Sequence, residues 1–302
     1  MTVVERKAHA ADRTTEFVVR PLHDREEIRR FLEARRPYAA YALGQLDPVL
    51  FRMTEWWTAR SDATHRALVL HSRGGLGNAT FTMGEVDALD ALVRLHPGPR
   101  HAFLTCEVHH LDTVLKYFEL DQRQTMIRMQ VNRDSFRAHD DDVQRLTGHD
   151  ARDINRLYRT DGVPSFYTGR QIDDAVYYGV IRDGEIVSIA GTHVISQLSG
   201  IAVVGNVYTH PVYRGMHLAE ATTSAVTGLL LRTCREVVLS VDPTNTPAVR
   251  AYQRLGYSEV ARLIEGAALR RDSTGIVTAG RRAVARLRGR AMRSEVVRID
   301  GQ

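Results

Sequence analysis

Cysteine is scarce: two in 302 residues, Cys106 and Cys234, each inside an apolar stretch. Two thiols so far apart exclude the disulfide framework of a small secreted domain, and buried free thiols in a reducing compartment are expected. Long apolar runs are missing too. No stretch approaches the length of a bilayer span, and Met1 to Ala10 has no secretory apolar core. The expectation is a cytoplasmic protein with no membrane partner. The pair His109-His110 has no companion ligands at useful spacing, so surface or capping histidines are expected and no metal. Excess charge is confined to one end. Gly266 to Gln302 holds nine Arg and three acidic residues, a balance of +6. The total is +5, so the rest of the chain carries about −1 (+5 minus +6). Arg281, Arg282, Arg286, Arg288 and Arg290 lie among Ala, Val and Leu, which predicts an amphipathic helix over 279–292. No aromatic is interleaved with these arginines, so a solvated accessory tail is expected rather than a nucleic-acid partner.

With 43% hydrophobic and 25% charged residues, the chain is of ordinary globular composition and long enough for two domains. Residues 1–15 are polar and expected to fray. A first domain is expected over 16–132, a linker over 133–142, a second domain over 143–270 and the basic tail over 271–302. Within the first, 16–22 reads as a strand. Asp24 caps a helix to Arg36 with Ile28, Phe31 and Leu32 as its stripe. A helical or mixed stretch then runs to Trp57, with Trp56 and Trp57 expected in a core or between domains. Strands follow at 67–71, 79–83, 101–108 and 125–132, with helices at 86–95 and 109–120. The glycines at 74, 75 and 77 lie between two strand patterns and read as a hairpin turn, not a phosphate loop. In the second half, Asp150–Tyr158 reads as a helix. Val176–Arg182 and Glu185–Ser196 read as a hairpin around Asp183-Gly184, and Ser258–Leu269 as the last strand.

The stretch that organises the chain is 203–257. The strand Val203–Thr209 feeds a turn, Arg214-Gly215-Met216-His217-Leu218-Ala219, and a helix to about Cys234. A helix start leaves its first N–H groups without partners, and the helix dipole adds positive charge there. No Ser, Thr, Asp or Asn stands at 214–217 to cap it, so an open N-terminus beside Arg214 suits a pyrophosphate. Taken alone, such a glycine turn is more often only a turn. A second strand, 237–241, precedes a short helix begun at Asn245 with Pro247 in its first turn. Ala248 and Tyr252 share one face of that helix, and Gly256 suits its stop.

These residues resemble the GNAT acetyltransferase superfamily over 176–265. Arg214 and Ala219 occupy the first and last places of its R/Q-x-x-G-x-G/A turn, whereas His217 stands where glycine is usual. Asn245, Ala248, Tyr252, Gly256 and Tyr257 match its second motif throughout, and Gly205-Asn206-Val207-Tyr208-Thr209-His210-Pro211 is typical of it. The first half alternates strands and helices similarly but lacks both motifs, and reads as a degenerate or family-specific domain of the two-domain, glycine N-acyltransferase-like kind.

The resemblance implies an α/β fold with a mixed central sheet flanked by helices, and acetyl-CoA as acyl donor. It implies main-chain contacts to the pantetheine at Val207, Tyr208 and Thr209. Around the pyrophosphate it places Arg214, Gly215, Met216, His217, Leu218 and Ala219, with Asn245 and Ala248 beside the pantetheine. Tyr252 would protonate the leaving thiolate. The family's usual strand glutamate has no counterpart in Ile201–Gly205. His193 on the neighbouring strand is the candidate base, with a structural histidine or a water chain as alternatives, and Glu220 reads as a dipole partner. Phe166 and Tyr167 either line the acceptor pocket or pack under a loop. The expected activity is direct N-acetyl transfer to a primary amine of a small molecule or amino acid, in a monomer or homodimer. Transfer of a longer acyl group and a non-catalytic acyl-CoA sensor are the alternatives.

Overall fold

A single hydrogen-bonded sheet of thirteen strands runs through the molecule. The computed structural model describes residues 14–62, 66–74, 77–96, 98–162, 165–271 and 294–300. The first half contributes β1 (Thr14–Leu22), α1 (Arg25–Glu33), α2 (Ala40–Gly44), α3 (Pro48–Phe51), β2 (Thr54–Arg60), β3 (Arg66–Ser72), β4 (Ala79–Gly84), α4 (Val86–Leu95), β5 (His101–Glu107), α5 (Leu111–Tyr117) and β6 (Phe118–Asn132). The second half follows nearly the same plan: β7 (Gln144–Arg145), α6 (Ala151–Tyr158), α7 (Gly169–Asp173), β8 (Tyr178–Arg182), β9 (Glu185–Ser196), β10 (Ile201–Thr209), α8 (Leu218–Leu230), β11 (Glu236–Val241), α9 (Thr246–Arg254) and β12 (Ser258–Arg270). A final strand, β13 (Glu295–Asp300), lies antiparallel to β1. The result is the expected mixed α/β fold, a large mixed sheet flanked by helices.

Strand order is β13-β1-β2-β3-β4-β5-β12-β6-β11-β10-β9-β8-β7. The last long strand of each half sits beside the other half: β12 pairs with β5, β6 pairs with β11, and β6 and β12 pair with each other. The expected boundary at 133–142 is therefore not a free hinge. Arg137 N–H donates to the Leu255 carbonyl at 3.0 Å, and His139 N–H to the Ser224 hydroxyl at 2.8 Å. A Cβ on Gly256 would lie 1.9 Å from the Ser135 carbonyl oxygen, so this connector packs tightly against the second half.

Local chemistry explains the main elements. The Asp24 side chain accepts from the N–H groups of Glu26 and Glu27 and starts α1, which buries Ile28 and Leu32. Asp183 and Gly184 both have positive φ, 51° and 79°, the geometry that suits a two-residue hairpin between β8 and β9. Helix α2 lies against β9 and β10 of the second half, where Leu43 shares a core with Val194, Ile201 and Val203. A buried pair, Arg36–Glu236, joins the halves, and Gln130 donates to the same carboxylate at 2.6 Å. Breaking such a pair by removing one partner costs about 3–5 kcal/mol.

Several expectations are corrected. Trp56 and Trp57 lie on β2 rather than on a helix. Trp56 is buried in the core, while Trp57 stacks on His96 with ring centroids 3.5 Å apart. Strand β6 begins at Phe118, because pairing with β12 overrides the helical pattern to Leu120. His110 is fully buried at the N-cap position of α5, so of the two expected roles it has the capping position and not the surface one. Strand β12 is not the last, and residues 14 and 15 pair with β13 instead of fraying. The expected helix 279–292 lies outside the described residues. Cys106 and Cys234 are buried free thiols. No helix among the described residues is long and apolar enough to cross a membrane.

Candidate functional site

The site grows out of a parting between two parallel strands. β10 and β11 pair only at Ile201–Glu236, Ala202–Val237 and Val203–Val238. Beyond Val203, β10 stays with β9 but breaks register twice, between Val203 and Val204 and again between Gly205 and Tyr208. Bulges bend a strand and raise its twist, which turns β10 away from β11. Asn206, at the second break, has φ of 54°. The edge of β10 from Val204 to Thr209 thus has no strand on the β11 side, and a cavity of about 1010 Å³ opens there.

At one end of this cavity is the turn before α8. Gly215 has φ of 80° and His217 of 61°. His217 is the N-cap of α8 and makes no side-chain cap bond. The first bonds of the helix run from the N–H groups of Glu220 and Ala221 to the His217 carbonyl, at 3.0 and 3.1 Å. The N–H groups from Gly215 to Ala219 have no acceptor among the described residues. This is the uncapped helix start that the sequence predicts, a ready anion seat. Arg214 beside it is ion-paired with Asp161, donates to the Thr209 carbonyl at 3.2 Å and lies over the Tyr208 ring. Glu220 is a buried hub: it takes Arg254 Nε at 2.7 Å and faces His217 Nδ1 at 3.1 Å. Burial would push its carboxyl up, but Arg254 and His217 outweigh burial and hold it below the usual carboxylate range.

Helix α9 forms the next wall. Asn245 caps it by accepting from Ala248 N–H at 3.3 Å. At its other end, Gly256 N–H bonds the Gln253 carbonyl and Tyr257 N–H bonds the Tyr252 carbonyl, with Gly256 left-handed at φ of 92°. These two bonds form a Schellman stop that fixes the Tyr252 backbone. Tyr252 is nearly buried, lines the cavity and packs on Tyr257. Burial pushes its phenol up to about 12, so the hydroxyl is protonated at neutral pH.

The far wall holds a polar network. His193 Nε2 donates to Asn206 Oδ1 at 3.0 Å, and Tyr41 from α2 donates to His193 Nδ1 at 2.7 Å. Asn206 is fixed in turn by Tyr167, whose hydroxyl donates to Oδ1 at 2.9 Å, and by its own amide donating to Tyr177 at 2.7 Å. A Cβ on Gly205 would come within 2.4 Å of the His193 ring, so only glycine leaves room for that imidazole. His193 meets water through the cavity while lying deep among protein atoms. That burial lowers its pKa despite the Asn206 bond, with Arg128 adding to the drop, so the ring is neutral near pH 7.

Nearly all the residues singled out in the sequence share this one cavity: Val207, Tyr208, Thr209, Arg214, Gly215, His217, Leu218, Ala219, Asn245, Ala248, Tyr252 and His193. Met216 does not line it and is exposed. Phe166 is 85% exposed and is not part of the wall, so the expected lining role is corrected. It lies on an irregular stretch between α6 and α7. Tyr167 does not line the cavity either; it supports the wall through Asn206.

Three participants escaped the sequence reading: Tyr41, Arg128 and Glu265. Arg128 on β6 is fully buried and donates to Ser240 at 2.6 Å. Its Nε and Nη2 have no partner among the described residues. Glu265 on β12 lines the cavity. A charge set in an apolar strand, Met126-Ile127-Arg128-Met129 or Leu263-Ile264-Glu265-Gly266, was the available signal.

Elsewhere, Glu107, His109 and His110 lie close enough together to suggest a metal centre. Both histidines use Nε2 as a donor to the Gly84 carbonyl, and Glu107 is paired with Arg35.

Residues 146–257 match the Acetyltransferase (GNAT) family. Among curated proteins, none matches the chain. Solved structures resemble it in fold. A Drosophila protein superposes with TM-score 0.59 at 14% identity, over 82% of this chain and 98% of its own. A GCN5-related N-acetyltransferase from Kribbella flavida gives 0.54 at 16% identity, over 82% and 98%. Another from Sphaerobacter thermophilus gives 0.52 at 17% identity, over 84% and 95%.

Proposed function

Because residues 146–257 form a GNAT acetyltransferase domain, we propose that this protein moves an acetyl group from acetyl-CoA directly to a primary amine of a small molecule or amino acid. The observation that carries the reading is the single cavity shared by the uncapped start of α8, the open edge of β10 and Tyr252. The diphosphate sits on the N–H groups of Gly215 to Ala219, with Arg214 alongside. The pantetheine amides bond the free edge of β10 near Val207 and Thr209, between that strand and α9, where Asn245 and Ala248 lie. This brings the thioester toward Tyr252.

The acceptor nitrogen attacks the thioester carbonyl, the C–S bond breaks, and the thiolate takes the Tyr252 proton. A neutral acid of high pKa suits that last step, since it is fully protonated before the sulfur leaves. A proton from the nitrogen passes to Tyr41 oxygen as the Tyr41 proton moves to His193 Nδ1, along the bond already present. This makes His193 a base acting through a residue of the first half.

Calorimetry with acetyl-CoA tests the coenzyme seat. Wild type should bind, and Gly215→Glu, which puts a carboxylate and a strained φ at the seat, should abolish binding. Unchanged affinity in the variant would remove the seat from 214–219.

A further inference from the structure

We propose that Glu265 receives the acceptor, and that the acceptor enters as a primary ammonium ion. The inference rests on the acetyl-transfer reading of this same cavity. Tyr41, Met126, His193 and Glu265 line the same cavity as the diphosphate seat and α9. Strand register places Glu265 past the end of β11. β11 finishes at Val241, opposite Ile127 of β6, and Ile127 lies opposite Arg262 of β12. Glu265, three residues further and opposite Gln124, lies beyond the end of β11 and lines the cavity.

The carboxylate is available. No direct ion pair to it occurs among the described residues, although Arg128, fully buried, lies near enough for its charge to act on it. Arg128 is committed to Ser240 and keeps two nitrogens unpartnered. It balances the charge of Glu265 without covering its oxygens. Glu265 is half-buried, lines the cavity and is held by the Thr105 hydroxyl, but no cation pairs with it directly among the described residues, and a partly desolvated carboxylate gains when a cation joins it.

The charged and titratable groups that act on Glu265 are Arg128 on β6 and Tyr41 on α2, with the Thr105 hydroxyl on β5; His193 on β9 lines the same cavity. Burial raises the Glu265 pKa, and Arg128 and Thr105 pull it partly back. Beside the apolar walls of the cavity an ammonium and a carboxylate are both less well solvated than in water, so transfer of one N–H proton to the carboxylate is eased. That leaves a neutral amine, which is the nucleophile, and a carboxylic acid that returns its proton to cavity water. The second N–H proton is lost after attack, to Tyr41 and His193, and Tyr252 protonates the sulfur. The balance is an ammonium and a thioester giving an amide, a thiol and one proton to solvent.

Thiol release is measured with acetyl-CoA and n-butylamine, benzylamine, putrescine, glucosamine and glycine, across pH. With the best of these amines, Glu265→Gln should lower kcat/KM about 100-fold, within the usual range for a proton-accepting group. The acidic limb of the pH profile should vanish, Glu265→Asp should recover part of the rate, and acetyl-CoA affinity by calorimetry should stay within twofold of wild type. A Glu265→Gln rate within threefold of wild type, with the acidic limb intact, overturns the assignment. Acetyl-CoA binding without thiol release for any amine overturns it as well, because the acceptor is then not a simple ammonium. Failure of wild type to bind acetyl-CoA takes down the coenzyme seat itself and this inference with it.

Discussion

Two places in this sheet share one topology and have opposite fates. β4 and β5 run parallel and pair at Ala79–Phe103, Thr80–Leu104 and Phe81–Thr105, just as β10 and β11 pair at three positions before parting. In the second half the gap beyond the pairing is a cavity. In the first half it is filled by side chains. Glu107 accepts Gly84 N–H at 3.1 Å, Tyr38 donates to the Thr82 carbonyl at 2.6 Å, and His110 donates to the Gly84 carbonyl at 2.7 Å. The edge of β4 is thereby satisfied internally, whereas that of β10 from Val204 to Thr209 lines a cavity.

The connections differ in the same sense. β4 reaches α4 through Glu85 alone, and Asp87 follows in the first turn of that helix. Negative side chains thus occupy the position where an anion would bind. β10 reaches α8 through residues 210–217, a loop long enough to lay its N–H groups around a diphosphate. The lesson is that the wedge comes from the topology, while the ligand site comes from what is kept out of it.

Acid gives the largest expected contrast. Burial lowers His71 and His110 of the first half from the ordinary 6.5 to about 4. Both are neutral when folded and take a proton more readily when unfolded. Their contribution is fully present above pH 6.5 and is lost as pH falls through about 4, on the order of 3 kcal/mol each. Urea unfolding followed by Trp56 and Trp57 fluorescence should show this loss, and His110→Gln should flatten it. A stability flat from pH 7 to 4 would mean that the plug does not depend on these rings.

Next is Tyr252→Phe, which removes the proposed proton donor from the open wedge. Turnover should fall about 100-fold, or about 2.7 kcal/mol, with acetyl-CoA affinity within twofold of wild type. Equal turnover would leave the thiolate to be protonated by water. The smallest effect is at His217, a non-glycine residue at positive φ. His217→Gly should relieve about 1 kcal/mol of backbone strain, partly offset by loss of the Glu220 contact. A melting temperature that falls would show that the Glu220 contact is worth more than the strain.

Much of the second half was legible because its signals are local. The Asp183-Gly184 hairpin, the uncapped start of α8 and the Asn245-to-Gly256 helix each depend on a few consecutive residues, and each is found as expected. The first half was read less well. β6 and β12 cross between halves, and no local pattern says which distant strand will be a neighbour. The burial of His110 was missed for the same reason, since it depends on β4 lying beside it.

By itself the sequence determined the elements of the coenzyme side, because backbone conformation, capping and helix polarity are properties of short segments. Only the tertiary structure decided the group of residues proposed to meet the acceptor. Tyr41 comes from α2, Arg128 from β6, His193 from β9 and Glu265 from β12. Those residues lie more than two hundred positions apart at the extremes. Sheet pairing across the two halves brings them together, and a contact between distant residues is fixed by packing that no single segment encodes.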